Sequence, residues 1–365
     1  MPVVFKRKAI QPGSRIRVLV ADDSAVVRRL VTRVLSEDPA LQVVGSAANG
    51  AIALARIPQL NPDVVTLDIH MPDMDGLQAL RQIRKQYPDL CVIMFSTLTE
   101  RGAAATLEAL MLGANDYVTK SANAGSLEVS IAALRSELIP KIKQFFILPG
   151  EAAPAPRRRE IAPPAAAVVP RAPAVRTKPR AVAIGVSTGG PNALSVLMPM
   201  FPADFPLPIL IVQHMPPLFT RFLAERLAAQ SKIRVEEAAE GVLVEPGKAL
   251  IAPGDYHMRL GRRDGQVFVR LDQSPPENSC RPSADVLFRS VEEIYKGAVI
   301  SVILTGMGQD GLRGAGVLKA SGAWVIAQDE ATSVVWGMPG AVVQAGLADR
   351  VVSLEQVAPE ILRLV

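Results

Sequence analysis

A serine among small residues closes an apolar run in AIGVSTGGP, Ala183 to Pro191. Gly185, Ser187 and Gly189 satisfy G-x-S-x-G, the spacing that sets a serine on a sharp strand-to-helix turn with its hydroxyl above a sheet. The same glycines could instead cradle a phosphate on the backbone N–H groups of a following helix, or simply make a turn. No G-x-G-x-x-G occurs, and no lysine follows the glycines as a Walker A loop requires. A nucleophilic serine needs an imidazole base and a carboxylate to orient it. The chain has three histidines. His70 belongs to the first half. His214 ends the run PILIVQ, and His257 lies in APGDYHM at the entry to a hairpin pattern; on the residues alone either could be the base. For the carboxylate, VILTGMGQDG sets Asp310 among glycines after a buried run, in a turn that can also offer free backbone N–H groups. Asp255, Asp285 and Asp329 are weaker candidates.

The first half carries a different chemistry. Asp22 and Asp23 end one apolar run, Asp68 ends VVTLD, Ser96 and Thr97 end LCVIMFS, and Lys120 ends DYVTK. In an open parallel sheet these ends converge on one crevice. Three carboxylates suit Mg²⁺, which takes a few carboxylates plus waters and a phosphoryl oxygen. An aspartate can itself accept a phosphoryl group as an acyl phosphate. Lys120 and Ser96 would then meet the new oxygens with a charge and a hydroxyl.

The elements that must position these groups follow a regular rhythm. RIRVLVAD, VVTLD, LCVIMFS and DYVTK alternate with helical patterns such as SAVVRRLVTRVL and GLQALRQIRKQY. The rhythm returns in AVAIGV, PILIVQ, ISVILTG and AWVIAQ, with PPLFTRFLAERLAAQ and SADVLFRSVEEIY as helices, Ser283 capping the second. HMRLGRRDGQVFVRL reads as a hairpin turning at Asp264-Gly265. Both halves are α/β with doubly wound, mostly parallel sheets. Between them PGEAAPAPRRREIAPPAAAVVPRAPAVRTKPR has no period and is dense in Pro, Ala and Arg, the composition of a semi-extended tether. The division expected is a tail at 1–14, a first domain at 15–137, a linker at 138–180 and a second domain at 181–365.

Net charge is +5 over 365 residues. Much of the excess lies in the N-terminal KRK and in the tether, so it points to a basic connector rather than to nucleic acid. No apolar run reaches the length of a membrane span, and MPVVFKRKAIQPG lacks the h-region of a signal peptide. Cys91 and Cys280 lie in different halves without metal or redox spacing, which is what a reducing cytoplasm predicts.

LVADDSAVVRRL, LDIHMPDMDGL and GANDYVTKS resemble the receiver domain of two-component response regulators, a flavodoxin-like (βα)5 fold. The resemblance implies Asp68 as phosphoacceptor, Asp22 and Asp23 with Asp68 as Mg²⁺ ligands, Ser96 as switch hydroxyl, Lys120 as phosphate sensor and Tyr117 at the aromatic switch position. Ser121 stands where receivers usually have proline, and His70 sits where only a backbone carbonyl is contributed. AIGVSTGGP, IVQHMPPLFTRFLAERL, APGDYHM, CRPSADVLFRSV, VILTGMGQDG and WGMPGAV resemble the catalytic domain of the chemotaxis protein-glutamate methylesterases, the CheB family. By that likeness Ser187 is nucleophile, His214 base, Asp310 orienting carboxylate and the Met307 N–H the oxyanion donor, with no cofactor for ester hydrolysis. It implies removal of methyl groups from methyl-accepting chemotaxis receptors, deamidation of receptor glutamines, a histidine kinase as phosphodonor, and a cytoplasmic monomer peripheral to membrane-bound receptors. Three rivals are a DNA-binding response regulator, which needs a helix-turn-helix output, an esterase serving another methyl-signalling pathway, and a scaffold that has lost catalysis, which the intact Ser, His and Asp count against.

Overall fold

The computed structural model describes residues 7–120, 127–149 and 176–365. Most of the Pro/Ala/Arg-rich tether and Ser121 lie outside the described residues.

In the first module, β1 (Ile16–Ala21), β2 (Leu41–Ala47), β3 (Val64–Asp68), β4 (Cys91–Thr97) and β5 (Asp116–Lys120) alternate with α1 (Ala25–Ser36), α2 (Gly50–Leu60), α3 (Gly76–Gln86), α4 (Glu100–Met111) and α5 (Leu127–Lys143). The strands form one sheet in the order β2-β1-β3-β4-β5, with every pair parallel. Strand β3 is buried at all five positions, as a strand covered by helices on both faces must be. Local signals start the helices: Ser24 caps α1 through the Val27 N–H, and Asp75 with Gln78 forms a capping box on α3.

Elements outside the expected 15–137 also pack onto this module. Helix α5 continues to Lys143 through Pro140, and Phe146–Ile147 then pairs in parallel with Lys8–Ala9 of the N-terminal segment. Burial explains the extension. Leu138, Ile142, Phe145 and Phe146 are fully buried, and each large side chain taken out of water contributes about 1.5–3 kcal/mol.

The second module is built from β6 (Ala181–Val186), α6 (Gly190–Leu197), β7 (Ile209–Gln213), α7 (Phe219–Gln230), β8 (Arg234–Glu237), β9 (Lys248–Ile251), the hairpin β10 (His257–Arg263) and β11 (Gln266–Asp272), α8 (Ala284–Tyr295), β12 (Val299–Ile303), α9 (Leu312–Ala320), β13 (Trp324–Gln328), α10 (Met338–Gln344), β14 (Arg350–Val352) and α11 (Leu354–Leu364). Its seven-stranded parallel sheet runs β8-β9-β7-β6-β12-β13-β14. The hairpin turns at Asp264-Gly265, both in the left-handed region, as a two-residue type I′ loop requires. The chain leaves β6 toward β7 on one side and returns to β12 on the other. The resulting switch point, at the carboxyl ends of β6 and β12, is where an open sheet offers a crevice.

The modules touch. Tyr117 stacks on Phe219 with ring centroids 5.1 Å apart, Asn192 Nδ2 donates to the Leu110 carbonyl at 2.9 Å, and Arg221 pairs with Glu100 at 2.7 Å.

Candidate active site

Ser187 follows β6 directly, and its N–H donates to the Thr305 carbonyl beyond β12 at 3.0 Å. Gly189 begins the turn into α6 at φ +80°, a conformation that L side chains rarely adopt. At Gly190 a Cβ would lie 1.9 Å from Gln213 Oε1, and the Gln213 amide needs that space to donate to the Ser187 carbonyl at 3.0 Å. The glycines therefore admit a neighbouring strand's side chain and set the serine's backbone.

His214 extends β7, and its N–H donates to the Val186 carbonyl at 3.2 Å, which places it beside the serine. Its Nε2 lies 2.8 Å from Asp310 Oδ2. Its Nδ1 faces the Cys280 thiol at 3.6 Å. Ser187 Oγ makes no hydrogen bond among the described residues, so the serine-to-imidazole link is open in this resting arrangement, as in many substrate-free hydrolases.

Asp310 is 2% exposed and sits against the N-terminus of α8. Besides His214 it accepts from Ala284 N–H (2.6 Å), Asp285 N–H (3.2 Å), Ser283 Oγ (2.8 Å) and Asn278 Nδ2 (2.8 Å). Burial opposes its charge, yet His214, Ser283 and the helix N–H groups hold the carboxyl well below the usual carboxylate range. Burial likewise disfavours charged His214, but Asp310 and Cys280 outweigh it and raise the imidazole to about 10. Ser283 occupies the N-cap position of α8 as expected, but its hydroxyl does not cap that helix. It donates to Asp310, and the carboxylate satisfies the helix N–H groups in its place.

The remaining candidates separate cleanly. His257 is fully buried, accepts from the Ser283 N–H at Nδ1 (3.2 Å), and its Nε2 faces the Pro275 carbonyl (3.2 Å), which makes it a brace for the start of α8. Asp255 is bound by Arg281 and Asp329 by Thr332, while the Asp285 carboxylate is linked to Asp310 through the Asn278 amide. Met307 N–H donates to no protein group among the described residues. It follows Gly306, whose added Cβ would lie 2.8 Å from Ser187 Cβ. A free donor thus sits beside the serine.

In the first module, carboxylate oxygens of Asp22, Asp23 and Asp68 lie within 4.8 Å of one another. Lys120 Nζ stands 2.8 Å from both Asp22 and Asp68. Burial raises the Asp68 carboxyl, Lys120 lowers it, and Asp22 and Asp23 raise it again. A divalent cation fits this cluster, since it would neutralise carboxylates that one lysine leaves in excess. Ser96 Oγ points away from it, donating to the Gly102 carbonyl at 3.1 Å and accepting from Thr106 at 2.6 Å. Tyr117 is buried against Phe219. His70 is exposed.

Residues 182–361 match the CheB methylesterase family, and residues 18–132 match the response regulator receiver domain. The chain belongs to the CheB methylesterase family. The protein-glutamate methylesterase/protein-glutamine glutaminase of Trichodesmium erythraeum is 51% identical over 358 residues, 96% of this chain and 99% of that protein. A protein of the same name from Pyrococcus abyssi is 44% identical over 361 residues, 97% of this chain and 94% of that one. The crystal structure of the Thermotoga maritima CheB methylesterase catalytic domain aligns with a TM-score of 0.51 at 46% identity, covering 52% of this chain and 100% of that one. As a CheB methylesterase, the chain joins a receiver, with its acidic Mg²⁺ cluster, to a parallel α/β hydrolase module; the helix-turn-helix alternative does not describe that module. Among the described residues no helix is long and apolar enough to cross a membrane.

Nothing in the local sequence marks Gln213 or Asn278, or the role of Ser283. Each acts across a long stretch of chain, and none carries a local signature.

Proposed function

We propose that this chain is a phosphorylation-regulated serine hydrolase that removes methyl groups from glutamate methyl esters of methyl-accepting chemotaxis receptors and deamidates receptor glutamines. The observation that carries the reading is the 2.8 Å contact of His214 with Asp310 at the sheet end that presents Ser187.

Asp310 engages Nε2, so Nδ1 is the nitrogen that takes the serine proton. Ser187 Oγ bonds to the γ-carbonyl carbon as His214 accepts that proton, and the oxyanion rests on the Met307 N–H. The C–O bond to the methoxy group breaks, His214 returns the proton, and methanol leaves an acyl-enzyme. Water, deprotonated by His214, then releases the carboxylate and restores the serine. A glutamine substrate follows the same path with ammonia as leaving group. Asp310 stays ionised throughout and keeps the imidazole oriented. The esterase module needs no cofactor for these steps.

Asp68 is the phosphoacceptor, with a histidine kinase as donor. Mg²⁺ held by Asp22, Asp23 and Asp68 would neutralise charge on the transferring phosphoryl group. Lys120 and Ser96 then meet the new phosphoryl oxygens. Ser96 must leave Gly102 to do so, and Tyr117 is the aromatic partner of that change. Control of the esterase is explained by contact: Thr188, adjacent to the nucleophile, donates to Asp116 Oδ2 at 3.1 Å. The unphosphorylated receiver sits over the mouth of the site, and phosphorylation shifts the population toward an uncovered form. The setting is a cytoplasmic monomer that meets membranes only through receptors and does not bind nucleic acid.

Methanol release from methylated receptor membranes tests the whole reading. It is expected to rise when a small phosphodonor and Mg²⁺ are added. No methanol under either condition would dismiss it.

A further inference from the structure

Between the hairpin and α8 lies the turn Glu277–Cys280. Its ends pair with each other, Glu277 N–H donating to the Cys280 carbonyl at 3.1 Å and Cys280 N–H to the Glu277 carbonyl at 2.9 Å. Asn278 and Ser279 both lie in the left-handed region, at φ 52° and 62°. That is the backbone of a two-residue type I′ turn, and asparagine is among the few side chains that tolerate it. The turn is anchored outside the site: Arg289 holds Glu277 through two hydrogen bonds of 2.8 and 2.5 Å.

The inward face of this turn grips the catalytic pair. Asn278 Nδ2 donates one hydrogen to Asp310 Oδ1 at 2.8 Å and the other to Asp285 Oδ2 at 2.9 Å. Asp285 and Asp310 are 1% and 2% exposed, so water cannot readily replace that amide. The other oxygen of Asp285 accepts from the Gly314 N–H at 2.6 Å. At the far end of the turn, Cys280 brings its thiol to 3.6 Å from His214 Nδ1. Two buried carboxylates that face one donor group repel each other unless each keeps a share of it. His214, Glu277, Arg289 and Arg313 complete the charged surroundings.

We propose that Asn278 is a positioning residue for ester hydrolysis: its amide bridges Asp285 and Asp310 and fixes Asp310 so that Oδ2 aims at His214. This rests on the assignment of His214 and Asp310 to the catalytic triad. The amide is required as a donor, not only as a residue that tolerates the turn.

The two roles separate by substitution in the full-length chain. Asn278→Gly keeps the turn, because glycine adopts positive φ freely, but removes both donors. Asn278→Asp keeps the shape and tolerates the turn, but sets a third carboxylate against two others. Methanol release is measured as kcat and KM, with phosphorylation of Asp68 and thermal unfolding reporting the fold. The expected result is a fall in kcat of about tenfold to hundredfold for Asn278→Gly, KM little changed, and a larger fall for the isosteric Asn278→Asp. Near wild-type kcat in either folded variant would leave the turn a purely structural feature and overturn the proposal. Ser187→Ala, run alongside, distinguishes the failures. If it stays active, the triad itself is wrongly assigned; if it is inactive while Asn278→Gly is not, only the positioning role falls.

Discussion

Replacing Asp310 by asparagine changes one atom in a site where every lone pair is spoken for. Oδ1 accepts from Asn278, Ser283 and the Asp285 N–H, and Oδ2 from the Ala284 N–H and His214. An amide offers a single acceptor oxygen. Placing that oxygen at Oδ1 keeps the larger group of donors, so the NH₂ falls at Oδ2 and confronts the Ala284 N–H and His214 Nε2. To meet an NH₂ donor, Nε2 must present its lone pair, and the ring proton moves to Nδ1. In the proposed mechanism that is the nitrogen that takes the Ser187 proton. The tautomer is then wrong for catalysis although every side chain keeps its place. The expected loss in kcat for Asp310→Asn is about 10⁴-fold, with KM little changed. The buried N–H left facing the NH₂ costs a further ~1–3 kcal/mol of stability, which thermal unfolding would register. The assay is methanol release from methylated receptor membranes, with Asp68 phosphorylation as the check on folding. A folded variant within about tenfold of wild type would refute the tautomer argument.

Two more outcomes follow from the same geometry. Asp310 and Cys280 raise His214 to about 10 against the opposing effect of burial, and a base acts only when deprotonated. The acid limb of kcat/KM therefore lies above the ordinary histidine value, with activity still climbing above about pH 7; a plateau reaching down to about pH 6 would contradict this. The fragment 176–365 lacks the Thr188–Asp116 and Tyr117–Phe219 contacts. It should release methanol faster than the unphosphorylated whole chain by roughly tenfold or more, and equal rates would remove occlusion as the mode of control.

Local patterns made much of this protein readable. The strands that carry or lead into Asp22, Asp68, Ser187, His214 and Asp310 are buried, largely apolar runs followed by polar or glycine-rich turns, and Asp264-Gly265 marks its hairpin through turn chemistry alone. Which histidine serves the site was not readable from spacing. His214 and His257 both end or begin strands, and only the partners of His257 reveal a brace. The short strands β8 and β14 carry mostly exposed and half-buried residues, Val235 alone being buried, and so lack the continuous apolar signal of the central ones. Pro140 disguised the continuation of α5, because proline in a helix interior normally ends it. Ser283 shows the limit best. Its place before α8 announced an N-cap, but the carboxylate that caps the helix comes from 27 residues away, a pairing that no local window contains.

The proposed chemistry requires that one oxygen atom, Ser187 Oγ, form the acyl-enzyme. Methanol release by Ser187→Ala, measured in full-length protein whose Asp68 still takes phosphate, addresses that directly. Loss of release by several orders of magnitude with phosphorylation intact is the predicted result. Wild-type release from the variant would contradict it.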